Sequence, residues 1–279
     1  MATDQERIVG MHPMPPDPLG VWLSCIDFPA SINKKHRVLV ENAGTRVQAE
    51  DMIAKWVFNH LVSVFMLNRL REKRAIMSQY DFEQLLSDYS LLPTLDNTIK
   101  GEVAEVILIE YLKKTTGCSP IIHRIHFNPN TDQAMKGDDC LLFDPVDMKN
   151  RVIYGESKFR GVPNKNVVEE IVNNLQSNKH LPVSLPFVAN ILDAQGHKEL
   201  AMEVMDVLEL IKKGHMPVHN VGFLLSQKSS TPSQNTEQVV ESHLYTTNPD
   251  LVFVSLGIDN PETLITNVMT KVAYMLKHV

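Results

Sequence analysis

The sequence predicts an α/β protein in which a mixed sheet is flanked by helices and preceded by a strand-and-helix extension. Three observations lead there. Apolar runs of strand length lie near residues 21–28, 152–159, 221–226 and 251–258, and stretches with apolar residues at three- and four-residue spacing separate most of them. Near residues 139–159 two such runs flank a turn-forming segment that opens on Asp144-Pro145 and closes on Lys149-Asn150, which makes them adjacent strands. The chain has 279 residues, 43% of them hydrophobic, which suits one large domain or a core with an added subdomain. We expect residues 1–95 to form the extension, as a partner-docking region, and residues 96–279 to form the core.

Taken in order, residues 1–20 hold Pro13, Pro15, Pro16 and Pro18 and read as an extended, loosely docked entrance. Residues 21–28 read as a half-buried strand. A second strand at 38–41 follows a basic turn, Asn33-Lys34-Lys35-His36-Arg37, read first as a solvated loop and otherwise as a phosphate contact. From about 46 to 72, Met52, Ile53, Trp56, Val57, Leu61, Val64, Phe65 and Leu67 predict one long helix with Trp56 and Phe65 in the core. Its basic end, Arg69, Arg71, Lys73 and Arg74, suits a helix C-terminus. A short amphipathic helix follows at 80–89. The helix at 99–114 has an Asp or Asn ahead of it as cap and Gly117 as its stop. Residues 118–130 read as a strand, which would put His123 and His126 on opposite faces. Helices are expected at 166–177, at 188–213 with Gly196 as an interruption, and from Pro261 to about 276. Residues 227–234 read as a polar loop.

Composition narrows the function. A net charge of −6 argues against a chain that holds nucleic acid by bulk electrostatics, though it allows a local basic patch. Cys25, Cys118 and Cys140 are far apart and form no CxxC pair, so we expect no zinc site or disulfide framework and a cytoplasmic location. No secretory signal is visible, and no apolar run approaches the roughly 20 residues that span a bilayer. A P-loop, a Gly-x-Ser-x-Gly elbow and a His-Glu-x-x-His motif are all missing.

The chemistry-bearing stretch is 136–158. Alternation along a strand at 152–159 puts Val152, Tyr154, Glu156 and Lys158 on one face, with Glu156 and Lys158 about 6.5–7 Å apart. Asp138 or Asp139 opens the preceding strand and can reach the same spot. Two carboxylates suit a hard divalent cation such as Mg²⁺, which polarises a phosphodiester and acidifies a water. A lysine beside them orients or deprotonates that water, or neutralises charge on the phosphate. The plain alternative is a solvated charge pair on the face of a hairpin. Asp147-Met148-Lys149 repeats the spacing but lies in the turn. Glu102 and Glu105, early in the helix at 99–114, are explained by the helix dipole or as further acids of the site, with Gly101 permitting close backbone approach. Arg160 and Lys165 are low-ranked phosphate contacts, and Gln176 is a further neighbour that could point toward the site.

Gly137-Asp138-Asp139-Cys140-Leu141-Leu142-Phe143 followed by Tyr154-Gly155-Glu156-Ser157-Lys158 resembles the PD-(D/E)XK nuclease superfamily. The proline of that motif is replaced by Gly137 or Asp138, so both aspartates stay open as the ligand, Asp139 first because it directly precedes the apolar run. More narrowly, Gly101-Glu102, Gly137-Asp138-Asp139 and Glu156-Ser157-Lys158 in a chain of this length resemble the HamA subunits of Hachiman anti-phage defence systems. The resemblance implies a restriction-endonuclease-like core that cleaves DNA with Mg²⁺ or Mn²⁺. It implies metal ligation by Asp139 or Asp138, Glu156 and the Ser157 carbonyl, with Lys158 acting on the water and Glu102 or Glu105 completing the acids. It also implies a HamB-like helicase partner and an activity restrained until infection. A free-standing restriction- or resolvase-type nuclease and a catalytically silent nuclease-fold subunit are the other two readings.

Overall fold

The apolar runs assemble into one six-stranded sheet. The computed structural model describes residues 2–127, 131–132, 139–176 and 184–279. Its elements in chain order are α1 (Asp4–Val9), α2 (Pro18–Trp22), β1 (Leu23–Asp27), β2 (His36–Glu41), α3 (Arg46–Leu61), α4 (Val64–Arg74), α5 (Gln79–Tyr89) and α6 (Asp96–Thr116). There follow β3 (Cys140–Phe143), β4 (Val152–Arg160), α7 (Lys165–Gln176), α8 (Ser184–Ala194), α9 (Lys198–Lys212), β5 (Val218–Gln227), α10 (Thr236–His243), β6 (Leu251–Ile258) and α11 (Pro261–Lys277). The strand order is β1-β2-β6-β5-β4-β3. The inner four strands run parallel, and β1 and β3 join their neighbours antiparallel. Parallel strands are covered on both faces, which is why β4, β5 and β6 are buried almost without alternation along most of their lengths.

On one face, α3, α6 and α11 bury Ile53, Leu108 and Val268 against Ile153, Phe223 and Val254. On the other, α7 and α10 bury Ile171 and Val240 against Tyr154, Leu224 and Phe253. Helices α8 and α9 form a third cluster with Phe143 and Val152. The first 95 residues supply two of the strands and much of the largest cluster.

Two glycines set how closely the layers meet. A Cβ on Gly155 would lie 2.8 Å from Cys140 Cβ and 3.0 Å from Leu108 Cδ2 of α6. A Cβ on Gly222 would lie 2.7 Å from Ile171 Cγ2 of α7. Glu156 pairs with Gly222 in register, so both contacts fall at the same level of the sheet, on opposite faces.

Several expectations need correction. The N-terminal stretch is docked rather than loose: α1 has a full capping box from Thr3 and Glu6, and Gln5 Nε2 donates to the carbonyls of Phe28 and His36. The first part of 21–28 is helical and only Leu23–Asp27 is strand. The basic turn is not solvated, because each cation finds an acceptor. Arg37, 1% exposed, makes a two-pronged bond to Asp27 at 2.7 and 2.8 Å. Lys34 and His36 share Glu241, and Lys35 donates to the Pro249 carbonyl. The stretch 46–72 is two helices. Ser63 accepts from Met66 N and starts α4, and the break resets the helical phase so that Leu70 is buried while Phe65 is 78% exposed. Residues 124–127 form a 3-10 turn where a strand was expected. Helix α6 has no side-chain cap from its own N-cap residue, Leu95; instead Asp132 accepts from the Thr94 and Leu95 amides. Helix α10 begins just beyond the expected polar loop and was not foreseen.

A Gly155→Ala substitution should lower unfolding free energy by about 1–3 kcal/mol, since the added methyl overpacks a stiff contact. Urea titration checks this: the midpoint should fall at unchanged slope, and an unmoved midpoint would show that α6 and β3 are not held this close to β4.

Candidate functional site at the β3–β4 edge

Strand β4 brings Glu156 and Lys158 to the face covered by α7, as alternation requires. The Lys158 Nζ lies 2.6 Å from Glu156 Oε1 and 3.7 Å from Glu170 Oε1 of α7. Asn174 Nδ2, one helical turn beyond Glu170, donates to the same Glu156 oxygen at 2.9 Å. Glu156 is buried and Lys158 is half-buried. Burial alone would lower the Lys158 pKa, but the bond to Glu156, with Asp139 and Glu170 nearby, raises it above its ordinary value. In this arrangement Lys158 is an ammonium. In that form it can orient a water or neutralise a phosphate.

Asp139 sits directly before β3. Its Oδ2 accepts the Ser157 N–H at 2.9 Å, one step past the Cys140–Gly155 pair, so a side chain continues the ladder where the strand ends. The acid is thereby fixed beside Glu156 from the neighbouring strand. Asp138 lies outside the described residues. Ser157 points to the α6 face, where its Oγ is buried with no hydrogen-bond partner among the described residues.

The helical acids reach the site from another direction. Helix α6 covers the Gly155–Ser157 face, opposite Glu156. Glu105 is buried and lines, together with Asp139, a cavity at the β3 edge of the sheet that also meets His60, His123 and Ser184. The cavity measures about 40 Å³, room for a few waters and too small for a nucleotide. Asp139 therefore stands between two groups, Glu156–Lys158 on one side and Glu105 on the other. Glu102 is half-buried one turn earlier on α6, and Gly101 meets open space rather than a close backbone neighbour. Arg160 pairs with Glu170 and Lys165 with Glu169, both at the exit of β4. Gln176 turns away and accepts from the amide and hydroxyl of Thr247.

Sequence reasoning missed the histidine cluster and the α7 pair. His60 bonds Glu110 at 2.8 Å, and the His123 ring lies 4.4 Å from His60 and 5.3 Å from His126. The 3-10 turn gathers rings that a strand would have separated. Burial, then His60 and His126, push His123 down to about 4, so it is neutral. Glu170 and Asn174 are i,i+4 neighbours flanking the apolar stripe of α7, and that spacing was the one signal available.

These features define a class: an α/β sheet protein with a strand-borne Glu-x-Lys pair and an aspartate on the adjoining strand. Comparison narrows it. The family model described as HamA matches residues 18–272. The Hachiman protein HamA of Bacillus cereus is 36% identical over 266 residues, which is 95% of this chain and 94% of that protein. The chain belongs to the HamA family.

The raised Lys158 pKa gives a pH signature. Its stabilising contribution is fully present below the ordinary 10.5 and is lost as pH climbs through the raised value. The stability gap between wild type and Lys158→Met, read from urea midpoints, should hold constant up to the ordinary 10.5 and shrink as pH rises beyond it. A constant gap would rule out the ion pair as the cause of the shift.

Proposed function

We propose that this chain is the nuclease subunit of a Hachiman anti-phage defence complex, hydrolysing DNA phosphodiester bonds on a PD-(D/E)XK-type core with a HamB-like helicase as partner. The observation that carries the reading is the bonded pair Glu156–Lys158 on one strand face, with Asp139 locked to the Ser157 amide on the next strand. Family membership supports the defence role, and the mixed sheet flanked by helices is compatible with the core.

Asp139 and Glu156 offer hard carboxylate oxygens from adjoining strands, the type that Mg²⁺ or Mn²⁺ takes while keeping several waters. Among the described residues no three His, Cys, Asp or Glu side chains are gathered closely enough to hold a metal by themselves. Two carboxylates completed by waters, the Ser157 carbonyl or Asp138 fit the demand in kind. A cation bound there supplies polarisation of the phosphoryl oxygen and a more acidic water. The Lys158 ammonium beside Glu156 would neutralise charge building on the phosphate, and Glu105 lines the small cavity that Asp139 also lines. The net charge of −6 supplies no bulk electrostatic grip on DNA and the sequence holds no Walker motif, so we assign grip on DNA and ATP-driven work to the partner.

The test is plasmid integrity with Mg²⁺ or Mn²⁺, for the chain alone and with its co-expressed helicase. Wild type should nick or degrade plasmid, whereas Glu156→Ala and Lys158→Ala should each cut at least about a hundredfold more slowly. Dependence on the helicase supports the complex, and activity of the chain alone supports a free-standing enzyme. If no arm cuts DNA, the fold serves as a silent subunit and the nuclease reading is abandoned.

A further inference from the structure

Helix α7 touches the site from the side that neither the motif nor the acids of α6 account for. Glu170 and Asn174 lie one turn apart on it. Asn174 Nδ2 donates to Glu156 Oε1 at 2.9 Å, and Glu170 Oε1 stands 3.7 Å from Lys158 Nζ. The close contact at Gly222, where Ile171 rests on β5 opposite Glu156, holds this stretch of helix at the right height.

One oxygen of Glu156 thus carries two donors, the Lys158 ammonium and the Asn174 amide. An arriving dication and an ammonium repel each other at a single carboxylate, whereas the neutral amide opposes nothing. The ammonium needs another acceptor, and Glu170 is within a side-chain rotation. We propose that α7 completes the site: Asn174 is a positioning residue that fixes the Glu156 carboxylate, and Glu170 is the carboxylate that takes Lys158 when a divalent cation occupies Glu156. The proposal rests on the metal-dependent reading above and adds two residues and an exchange to it.

The experiment is calorimetric titration of the full chain with Mn²⁺ alone, no DNA present, with circular dichroism confirming each variant's fold. Wild type should bind, and Glu156→Gln should not. Asn174→Leu should weaken Mn²⁺ binding about 10–100-fold, the usual cost of losing a ligand's outer hydrogen bond, and Asn174→Gln should recover part of it. Glu170→Gln should weaken binding roughly two- to fivefold, as expected of a half-exposed ion pair, and should have no effect in a Lys158→Met background. Wild-type affinity in Asn174→Leu would overturn the positioning role. A Glu170→Gln effect that persists without Lys158 would overturn the exchange. Absence of Glu156-dependent binding in wild type would remove the metal-dependent reading itself, an outcome distinct from the other two.

Discussion

The close approach at Gly155 is the constraint on which the site depends. A residue with any side chain there would push α6 and β3 away from β4. Both neighbours matter. The first carries Glu105, and the second delivers Asp139 to the Ser157 amide. Gly222 does the same for the opposite face, letting α7 sit low enough for Asn174 to reach Glu156. Side-chain absence at two points, one register step apart on neighbouring strands, brings β3 and α7 within bonding distance of one segment of chain and packs α6 against it. Interiors packed at crystal-like density leave no slack to recover that geometry by other means.

Charge is arranged around this segment so that buried acids are answered. Glu156 is nearly inaccessible, and an isolated carboxylate there would be costly. Lys158 and Asn174 answer it, and Asp139 is answered by a backbone amide. The same principle holds far from the site. The basic turn after β1 is consumed by Asp27, Glu241 and a carbonyl, and it pins the N-terminal hairpin to the rest of the sheet. That turn had the composition of a solvated loop. Its acidic partner on α10 lies some two hundred residues away, beyond the reach of any local pattern.

Legibility followed the range of the interactions. The period-two face of Glu156 and Lys158 was readable because strand alternation is local, and so was Asp139 at the mouth of an apolar run. Gly117 and Gly196, at positive φ, were readable as breaks for the same reason. Phe65 misled because a continuous apolar rhythm crosses Ser63, and only the cap there shifts the phase. His123 and His126 misled because a short segment of Ile, His and Phe supports a strand or a tight turn equally well, and packing against α3 selects the turn. Glu170 and Asn174 look like ordinary solvent-side positions of an amphipathic helix. What marks them is the height at which that helix meets the sheet, which is set by a glycine on β5.

The sheet's connectivity also fixes an order of events during synthesis. Strand β4 acquires its parallel neighbour only with Val218–Gln227, and the β1–β2 hairpin has no place in the sheet until β6, whose Phe253 pairs with His36. A growing chain that has already extruded Glu156 and Lys158 has neither the strand beneath them nor the sheet that carries the N-terminal hairpin. Ribosome-bound intermediates and prematurely terminated fragments carry Glu156 and Lys158 without the framework that aligns them, so the full arrangement around Glu156 first forms when almost the whole sheet has been made.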